Sequence, residues 1–275
     1  MAKGTTVVGR TAVITGAGSG IGRALALRLA AAGSPVALVD RDEEGLETTV
    51  EQIDGPVLHR VVDVSDRQAQ HAFAADVDAW APQPIGVVVN NAGVTVSQPV
   101  AGSAIEDDEW VMNVNYWGVV HGTQAFLPIL KRQDAGAIVN VSSVFGLFAW
   151  PTQSAYCASK FAVRGFTEAL RHELRGTGVR AVAVHPGGID TNIVRNARFH
   201  ADDRGTTDRS VLEQEFSKVA RTSPEKAAAT IQRGVERGND RILIGADAHI
   251  VANLVRIAPV RYFSVIKALE PLVRR

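Results

Sequence analysis

The residues of this sequence that could carry out acid–base chemistry stand in two short stretches, "NVSS" (140–143) and "YCASK" (156–160). Tyr156 and Lys160 are four positions apart, so a helix would place both side chains on one face. A phenol has a pKa of about 10 and is a poor base at neutral pH, but a neighbouring ammonium group favours the phenolate. The spacing therefore predicts that Lys160 lowers the pKa of Tyr156, and that this tyrosine exchanges a proton with an alcohol or carbonyl oxygen. The alternative is an ordinary tyrosine–lysine pair on a helix surface.

Seven short apolar runs, separated by helical stretches, would have to position these residues. Most of the runs are continuously apolar, as strands covered on both faces should be. Strands that alternate with helices predict an α/β fold with a parallel, doubly wound sheet, and no linker or repeat divides the chain. The predicted strands cover 11–15, 35–40, 57–64, 85–91, 136–143, 179–186 and 241–245.

A glycine-rich turn, "TGAGSGIG" (15–22), follows the first predicted strand and opens the first predicted helix. Glycines at Gly16, Gly20 and Gly22 would let the backbone turn tightly and approach a pyrophosphate, while the helix N-terminus offers free N–H groups to the phosphates. Such a turn alone can be a structural loop, but the strand–turn–helix context favours a dinucleotide coenzyme.

Asp40 ends the second predicted strand, eighteen residues after Gly22. A carboxylate at this position can accept hydrogen bonds from the adenosine ribose and would repel a 2′-phosphate, which favours NAD over NADP. Arg41 argues for NADP, because an arginine near the ribose could accommodate that phosphate. Asp40 could also act as the N-cap of the following helix, and both roles can hold at once.

These motifs resemble those of the classical short-chain dehydrogenase/reductase family over residues 10 to about 245. The resemblance implies a single Rossmann-like domain with a seven-stranded parallel sheet, a nicotinamide coenzyme, and assembly as a homotetramer or homodimer. We therefore expect a domain over 1–248 that includes a substrate loop at 187–222, followed by an extension over 249–275. Each motif is modest alone, but they follow the family's order: "TGAGSGIG" (15–22), "DV" (63–64), "NNAG" (90–93), "NVNYWG" (113–118), "NVSS" (140–143), "YCASK" (156–160) and "PGGIDT" (186–191).

The resemblance also implies a role for each matching residue. Ser143, thirteen residues before Tyr156, would donate a hydrogen bond to the substrate oxygen and stabilise charge that develops there. Lys160 would hydrogen-bond the nicotinamide ribose, and Asn115 would support a proton-relay water next to Lys160. Ser142 should point to the other face of its strand. The implied coenzyme contacts are Gly16, Ser19, Gly20, Ile21, Gly22, Asp40, Arg41, Asp63, Val64, Asn90, Ala92, Gly93, Tyr156, Lys160, Pro186, Gly187, Ile189 and Thr191.

Two pairs in this set are expected at the two ends of the coenzyme. Asp63 and Val64 would meet the adenine, whereas Ile189 and Thr191 would face the nicotinamide amide. Asn91, between Asn90 and Ala92, is interpreted as a structural residue that ties the sheet together.

Composition and charge argue against several other classes of protein and kinds of site. Basic and acidic residues are equal in number, 29 each, and basic stripes with aromatic platforms are missing, so no nucleic-acid partner is expected. The seven histidines show no metal-ligand spacing, so no metal site is expected. Cys157 is the only cysteine and is interpreted as a packing residue. Together with an N-terminus that lacks an apolar stretch of signal-peptide length, it predicts a cytoplasmic protein.

The predicted activity is the NAD(P)-dependent interconversion of a secondary alcohol and a ketone, or of a primary alcohol and an aldehyde. A non-catalytic coenzyme sensor is the alternative, but such relatives typically lack the Tyr156–Lys160 pair. Residues 94–103 and 144–153 should form walls of the substrate site. The second wall is rich in Val, Leu, Phe and Trp, which favours an apolar substrate over a sugar. The same side chains could instead pack under the loop or across a subunit interface.

The extension 249–275 carries five basic residues and one acidic residue, a net charge of +4 with histidine neutral. A basic amphipathic segment of this kind can lie on an anionic membrane surface. We favour the alternative, in which its apolar face caps the substrate pocket or packs on another subunit. Pro259 must start or break a helix within it. The apolar residues that recur every three positions, and so predict one helix face, are Leu254, Ile257, Val260, Phe263, Ile266 and Leu269.

Overall fold

The computed structural model describes residues 4–273 except 192, 194–195, 202–204, 209 and 211–219. A π-helical turn (Asn113–Trp117) joins the fourth helix to the fifth, and a 3₁₀ turn (Val144–Gly146) follows the sixth strand. In chain order the strands and α-helices are β1 (Thr11–Thr15), α1 (Gly20–Ala31), β2 (Val36–Asp40), α2 (Glu43–Val50), β3 (Val57–Val61), α3 (Arg67–Trp80), β4 (Ile85–Asn90), β5 (Val96–Ser97), α4 (Ile105–Met112), α5 (Gly118–Gln133), β6 (Gly136–Val141), α6 (Ser154–Glu173), β7 (Val179–Pro186), β8 (Arg198–Phe199), α7 (Pro224–Glu236), β9 (Arg241–Ile244), α8 (Ala246–Ile257) and α9 (Tyr262–Val273).

Seven parallel strands form the main sheet, in the order β3-β2-β1-β4-β6-β7-β9. Ile14 of β1 pairs with Leu38 of β2 on one side and with Val89 of β4 on the other. The strand order reverses between β1 and β4, so the connections that leave these two strands go to opposite faces and a crevice opens at their carboxyl ends. The predicted seven-stranded, parallel, doubly wound sheet is confirmed.

Helices cover both faces of this sheet, which explains why its strands are continuously apolar. On one face α1, α2 and α7 pack on strand residues such as Ile14 and Leu38. On the other face α3, α5 and α6 pack on residues such as Val13 and Val39. Successive residues of one strand therefore belong to two separate cores, as the two-residue period of a strand requires. The packing of these two cores holds the ends of the strands in place, and the candidate functional residues lie at those ends.

Two strands, β3 and β6, end two or more residues earlier than the sequence predicted, and each is followed by a side-chain turn. After β3 the Asp63 carboxylate accepts hydrogen bonds from the backbone N–H and the hydroxyl of Ser65. After β6 the Ser143 hydroxyl accepts a hydrogen bond from the Phe145 N–H and begins the 3₁₀ turn. Side chains that bond to nearby backbone compete with a strand ladder, which explains both early ends.

A second, two-stranded sheet was not predicted. β5 and β8 pair in parallel, with Val96 opposite Arg198 and Ser97 opposite Phe199. Each strand has two residues, which is too short to produce an alternating pattern. The pair attaches part of the predicted loop 187–222 to the predicted wall 94–103. Much of the remainder of that loop lies outside the described residues.

The C-terminal extension forms two helices rather than one continuous apolar face. Pro259 lies in the connection between α8 and α9, where a break was predicted. The break separates Phe263, which packs on Trp150, from Val260, which is 90% exposed. The prediction of one face that includes both residues is therefore wrong, because the connection changes the direction of the chain. No helix in the described part of the chain is long and apolar enough to cross a membrane.

Candidate functional site

The glycine-rich turn between β1 and α1 has the backbone that its sequence requires. Gly16 and Gly20 have φ angles of +68° and +52°, a region that side chains other than glycine rarely occupy. A Cβ on Gly22 would collide with the Gly16 carbonyl. Position 22 must therefore be glycine for α1 to begin this close to the turn. Ser19 is the N-cap of α1 but makes no side-chain capping hydrogen bond, and the first turn of α1 carries no acidic residue. An anion at this helix end would therefore meet N–H groups that no side chain caps.

Asp40 lies directly beside this turn. Its carboxylate accepts hydrogen bonds from the backbone N–H of Gly18 (2.8 Å) and of Asp42 (3.0 Å). The N-cap of α2 is Asp42, whose side chain accepts from the Gly45 N–H, so the suggestion that Asp40 caps this helix is wrong. The exposed Arg41 guanidinium lies 5.9 Å from the centre of the Trp110 ring. The carboxylate therefore borders the coenzyme turn, whereas Arg41 extends towards α4.

The end of β4 is tied to the end of β1 by Asn91. Its side-chain amide donates to the carbonyls of Thr15 and Gly16, at 2.9 and 3.2 Å. This confirms the structural role predicted for Asn91. The Asn90 side chain is buried and donates instead to Asn140 and Thr123, away from the crevice. A coenzyme contact by Asn90 remains a prediction and would have to involve its backbone.

The predicted adenine contacts differ in exposure. The Asp63 side chain is exposed and engaged with Ser65, whereas Val64 is 6% exposed. Val64 packs against the start of α5, where a Cβ on Gly118 would lie 2.8 Å from its side chain. Both residues follow β3 at the carboxyl edge of the sheet, as the sequence required.

Tyr156 and Lys160 lie one turn apart in α6, but neither is on the surface. Tyr156 is 9% exposed and Lys160 is 2% exposed, which rules out the alternative of an ordinary surface pair. The Lys160 ammonium donates to the Val141 carbonyl at 3.1 Å and lies 5.6 Å from the centre of the Tyr156 ring. The Ser142 hydroxyl donates to the Lys160 carbonyl, so Ser142 supports α6 and does not face the phenol.

The pKa values of this pair differ from those predicted. Burial raises the pKa of Tyr156 to about 12, although a hydrogen bond with the Ser143 side chain acts in the opposite direction. Burial also lowers the pKa of Lys160 to about 8. The predicted lowering of the Tyr156 pKa is therefore wrong for the chain alone, because loss of hydration is the largest influence on the phenol and Lys160 does not offset it. The phenol is a protonated hydrogen-bond donor at neutral pH.

Asn115 lies fully buried in the π-helical turn between α4 and α5. Its amide oxygen accepts from the Val94 N–H at 2.8 Å, and its nitrogen donates to the Val94 carbonyl and to the Ser159 hydroxyl. A Cβ on Gly93 would lie 3.3 Å from both the Asn115 oxygen and the Lys160 nitrogen. Gly93 thus leaves the space in which these two polar groups approach each other, next to the tyrosine.

His185 is a polar residue at this site that sequence reasoning missed. It is fully buried, and its Nδ1 donates to the Ser143 carbonyl at 3.0 Å. Burial lowers the pKa of His185 to about 4, so the ring is neutral and can hold the Ser143 backbone without adding charge. A histidine inside the otherwise apolar run of β7, directly before Pro186, was the available signal.

The segment after β7 reaches the glycine turn. Gly187 packs so closely on the Asp247 carboxylate that a Cβ would collide with it, and Asp247 accepts from the Gly188 N–H at 2.7 Å. Ile189 is buried and bridges to Thr222. The Thr191 side chain lies 3.1 Å from where a Gly20 Cβ would be. The first predicted coenzyme motif (15–22) and the last (186–191) therefore face each other across the crevice.

An aromatic wall extends from the tyrosine to the C-terminal helix. Phe145 packs edge-on against Tyr156 (6.0 Å between centroids) and in a tilted arrangement against Phe148 (5.1 Å). Phe148 packs on Tyr262 of α9, whose hydroxyl accepts a hydrogen bond from the Ala149 N–H at 3.1 Å. Of the alternatives for the extension, the described contacts favour the one in which α9 packs on the predicted substrate wall.

A charged cluster connects β8 and the residue that follows it to α4, and sequence reasoning missed this cluster as well. The buried Asp107 carboxylate binds the Arg198 guanidinium (2.5 Å) with one oxygen and the His200 imidazole (2.6 Å) with the other. Burial opposes the ionisation of Asp107, but the hydrogen bonds from His200 and Arg198 outweigh it and hold the carboxyl pKa below its usual value. The Arg198 guanidinium also lies 3.9 Å from the centre of the Trp110 ring. These partners are about ninety residues apart in the chain, so no local motif indicates them.

Within the described residues no group of three or more His, Cys, Asp or Glu side chains could hold a metal ion. The residues at this site fit a dinucleotide coenzyme better than they fit a metal ion. The uncapped helix end, the glycine backbone that no larger residue could adopt, and the Asp40 carboxylate border one crevice that ends at Tyr156 and Lys160.

Comparisons with known proteins agree with this geometry. The sequence model described as "short chain dehydrogenase" matches residues 10–202. SadH of Mycobacterium tuberculosis, described as a candidate oxidoreductase, is 45% identical over 265 residues, which cover 94% of this chain and 95% of SadH. A short-chain dehydrogenase/reductase of Burkholderia phymatum, solved with NAD, is 31% identical with a TM-score of 0.82, covering 92% of this chain and 94% of that one. A short-chain dehydrogenase of Burkholderia cenocepacia, solved with NADP, is 27% identical with a TM-score of 0.77, covering 96% and 98%.

Proposed function

This chain belongs to the short-chain dehydrogenase/reductase family, and on that premise we propose that it oxidises an apolar alcohol or reduces the matching carbonyl compound with NAD(H). The observation that carries the proposal is the buried arrangement of Tyr156, Lys160 and Ser143 at one end of a crevice. The other end of that crevice is a glycine-rich helix start suited to phosphates.

The choice of NAD over NADP rests on Asp40. Its carboxylate is fixed by two backbone N–H groups beside the glycine turn, so it cannot easily move away from a ribose placed there. A negative charge at this position disfavours a 2′-phosphate. Arg41 is drawn towards the Trp110 ring, which weakens the argument that it neutralises such a phosphate. A related structure that contains NADP makes this the part of the proposal that most needs a direct test.

The coenzyme would supply or accept a hydride at the reacting carbon, and the chain would move the proton. In reduction the protonated Tyr156 phenol donates a proton to the carbonyl oxygen as the hydride arrives, and in oxidation the phenolate takes the proton from the alcohol. The Ser143 hydroxyl donates a hydrogen bond to the same oxygen, where negative charge develops. Lys160 and Asn115 approach each other next to Gly93, and a water between them would exchange the proton with solvent.

The burial of Tyr156 favours the acid role. With a pKa of about 12 the phenol holds its proton at neutral pH and is ready to donate it. Oxidation requires the phenolate, and positive charge on Lys160 stabilises that form. With a pKa of about 8 the Lys160 ammonium keeps its charge at neutral pH; it donates a hydrogen bond to the Val141 carbonyl and would donate another to the bound ribose.

An apolar substrate is supported by the wall beside Tyr156. Phe145 contacts the phenol ring directly, and Phe148 and Trp150 continue the wall towards α9. Apolar surface next to the reacting oxygen favours the binding of a hydrocarbon or aromatic group over a polyhydroxylated one.

We also propose that the protein assembles as a homotetramer or homodimer, since Trp117 and Phe161 are large aromatic residues that are 46% and 40% exposed. Its mass in solution tests this.

The proposal is tested with a panel of alcohols and carbonyl compounds, each with NAD(H) and with NADP(H), by following the absorbance of the reduced nicotinamide. We expect turnover of apolar secondary alcohols or ketones and a higher kcat/KM with NAD(H). A preference for sugars would contradict the assigned substrate class. Tight coenzyme binding without turnover across the whole panel would favour the coenzyme-sensor alternative.

A further inference from the structure

Three aliphatic side chains at the C-terminus are left in water by the fold of the chain. Ile250 and Ile257 in α8, and Val260 in the connection to α9, are 67%, 82% and 90% exposed. We call these three residues the apolar crest. They include the two most exposed large apolar side chains among the described residues. Surface residues of this kind that occur together mark an interaction site more often than chance exposure does.

The crest is distinct from the side of the extension that packs on the protein. Tyr262 and Phe263 hold α9 on the wall through the Ala149 N–H and the Trp150 ring. The anchored helix prevents the crest from folding back against the same wall. The described residues of the chain therefore leave the crest exposed.

The charged residues next to Ile257 and Val260 in the chain have one sign. Arg256 precedes Ile257 and Arg261 follows Val260, and both arginines are exposed. Between residues 249 and 268 the sequence contains no acidic residue. A second copy that docked crest to crest would bring these arginines together, and like charges at an interface cost affinity. A negatively charged surface would instead attract them.

We propose that the apolar crest docks on the surface of an anionic lipid bilayer. Ile250, Ile257 and Val260 would enter the boundary between headgroups and acyl chains, while Arg256 and Arg261 remain at the level of the lipid phosphates. The contact is peripheral and reversible, because the described helices are too short or too polar to span a membrane. This inference concerns a surface and is independent of the proposed activity.

The test is vesicle sedimentation of the full chain. Vesicles of phosphatidylcholine alone are compared with vesicles in which about one third of the lipid is phosphatidylserine, at low and at high salt. We expect the protein to pellet with the anionic vesicles, to stay in solution with the neutral ones, and to be released by salt because screening weakens the arginine contacts.

Two double variants separate the apolar and the charged contributions. Ile257→Ser with Val260→Ser should reduce binding to anionic vesicles at least about tenfold, because two exposed aliphatic groups are lost. Arg256→Gln with Arg261→Gln should remove most of the salt sensitivity. The matched control, Val8→Ser with Val61→Ser, changes two exposed valines in the N-terminal part of the sequence and should bind as the wild type does.

Thermal unfolding checks that the crest variants fold, and exposed positions should leave the midpoint nearly unchanged. Wild-type protein that fails to pellet with anionic vesicles overturns the proposal. So does a crest variant that pellets normally. If the crest variant instead lowers the oligomeric mass, the crest is covered by a second copy and the lipid assignment is wrong.

Discussion

The coenzyme half of the crevice and the substrate half are built in different ways. The coenzyme half is made of turns at the ends of main-sheet strands, where backbone groups and glycines such as Gly16 and Gly22 decide the shape. The substrate half is made of a two-stranded sheet, a 3₁₀ turn and the C-terminal helices. Its parts are joined by a few side-chain contacts, among them Asp107 with Arg198 and Ala149 with Tyr262.

This contrast indicates where substitutions in the chain can alter function. The coenzyme half tolerates few substitutions, because its shape depends on backbone geometry. A side chain at any of the glycines that border the turn would disturb that geometry. A half built from side-chain pairs can be adjusted by one substitution without disturbing the sheet. Variants in the coenzyme half should therefore change coenzyme binding or the proton transfer, whereas variants in the substrate half should change the KM of the substrate alone.

The largest effect is expected for Lys160→Ala, because Lys160 is proposed to serve both halves. Removal of its charge should lower kcat by about a thousandfold and also weaken coenzyme binding. Steady-state kinetics and a coenzyme titration measure the two effects. Lys131→Ala, which removes an exposed lysine from α5, is the control and should leave both unchanged. Loss of activity with intact coenzyme binding would break the assignment of Lys160 to both halves.

A smaller effect is expected for Asp40→Ser in the coenzyme half. Loss of this charge, with Arg41 retained, should shift the ratio of kcat/KM values for NAD(H) and NADP(H) towards NADP(H) by about thirtyfold, the typical contribution of a charged hydrogen bond. Asp42→Ser is the control, since it removes a neighbouring charge but keeps a residue that can cap α2. Wild-type protein that already prefers NADP(H) would make Arg41 the deciding residue.

In the substrate half, Asp107→Asn removes the charge that binds Arg198 and His200. Both partners are about half exposed, so we discount the pair for solvent screening and expect the substrate KM to rise only about five- to tenfold. Coenzyme affinity should not change. Asp108→Asn, at the adjacent carboxylate, should have less effect because its partners are the neutral Gln98 and Ser103. Equal effects of the two substitutions would contradict the role given to the cluster.

The smallest effect is expected for Tyr262→Phe. The substitution removes the hydroxyl that accepts from the Ala149 N–H and keeps the ring on Phe148. The wall therefore loses one hydrogen bond, worth about 1 kcal/mol, and keeps its packing. The KM of apolar substrates should rise about threefold, with kcat and coenzyme affinity unchanged. Ser264→Ala, at an exposed neighbour, is the control. A change in coenzyme affinity with Tyr262→Phe would show that the two halves are not independent.

The sequence predicted the strands and the glycine turn of the coenzyme half well because their determinants are local. Most of the strands are continuous apolar runs, the glycine turn follows β1 directly and Asp40 ends β2, so pattern and position define them together. The i, i+4 spacing likewise placed Tyr156 and Lys160 on one helix face. What the spacing could not give was their burial, which depends on the aromatic wall and reverses the predicted shift of the Tyr156 pKa.

The substrate half was predicted poorly because its determinants are distant in the chain. Arg198 and Asp107 are 91 residues apart, and Ala149 and Tyr262 are 113 apart. No periodicity connects such residues, and strands of two residues carry no pattern. The apolar spacing of the extension was visible, but the direction of the chain after Pro259 decides which of these residues pack on the wall.

The most direct test of the proposed chemistry is Tyr156→Phe, with turnover and coenzyme binding measured on the same preparation. The substitution removes one hydroxyl and keeps the ring that packs on Phe145. We expect kcat to fall by about a thousandfold or more, because no other group at this position can transfer the proton, while the dissociation constant of NAD changes by less than about twofold. A variant that retained kcat to within about tenfold of the wild type would show that Tyr156 is not the acid–base group.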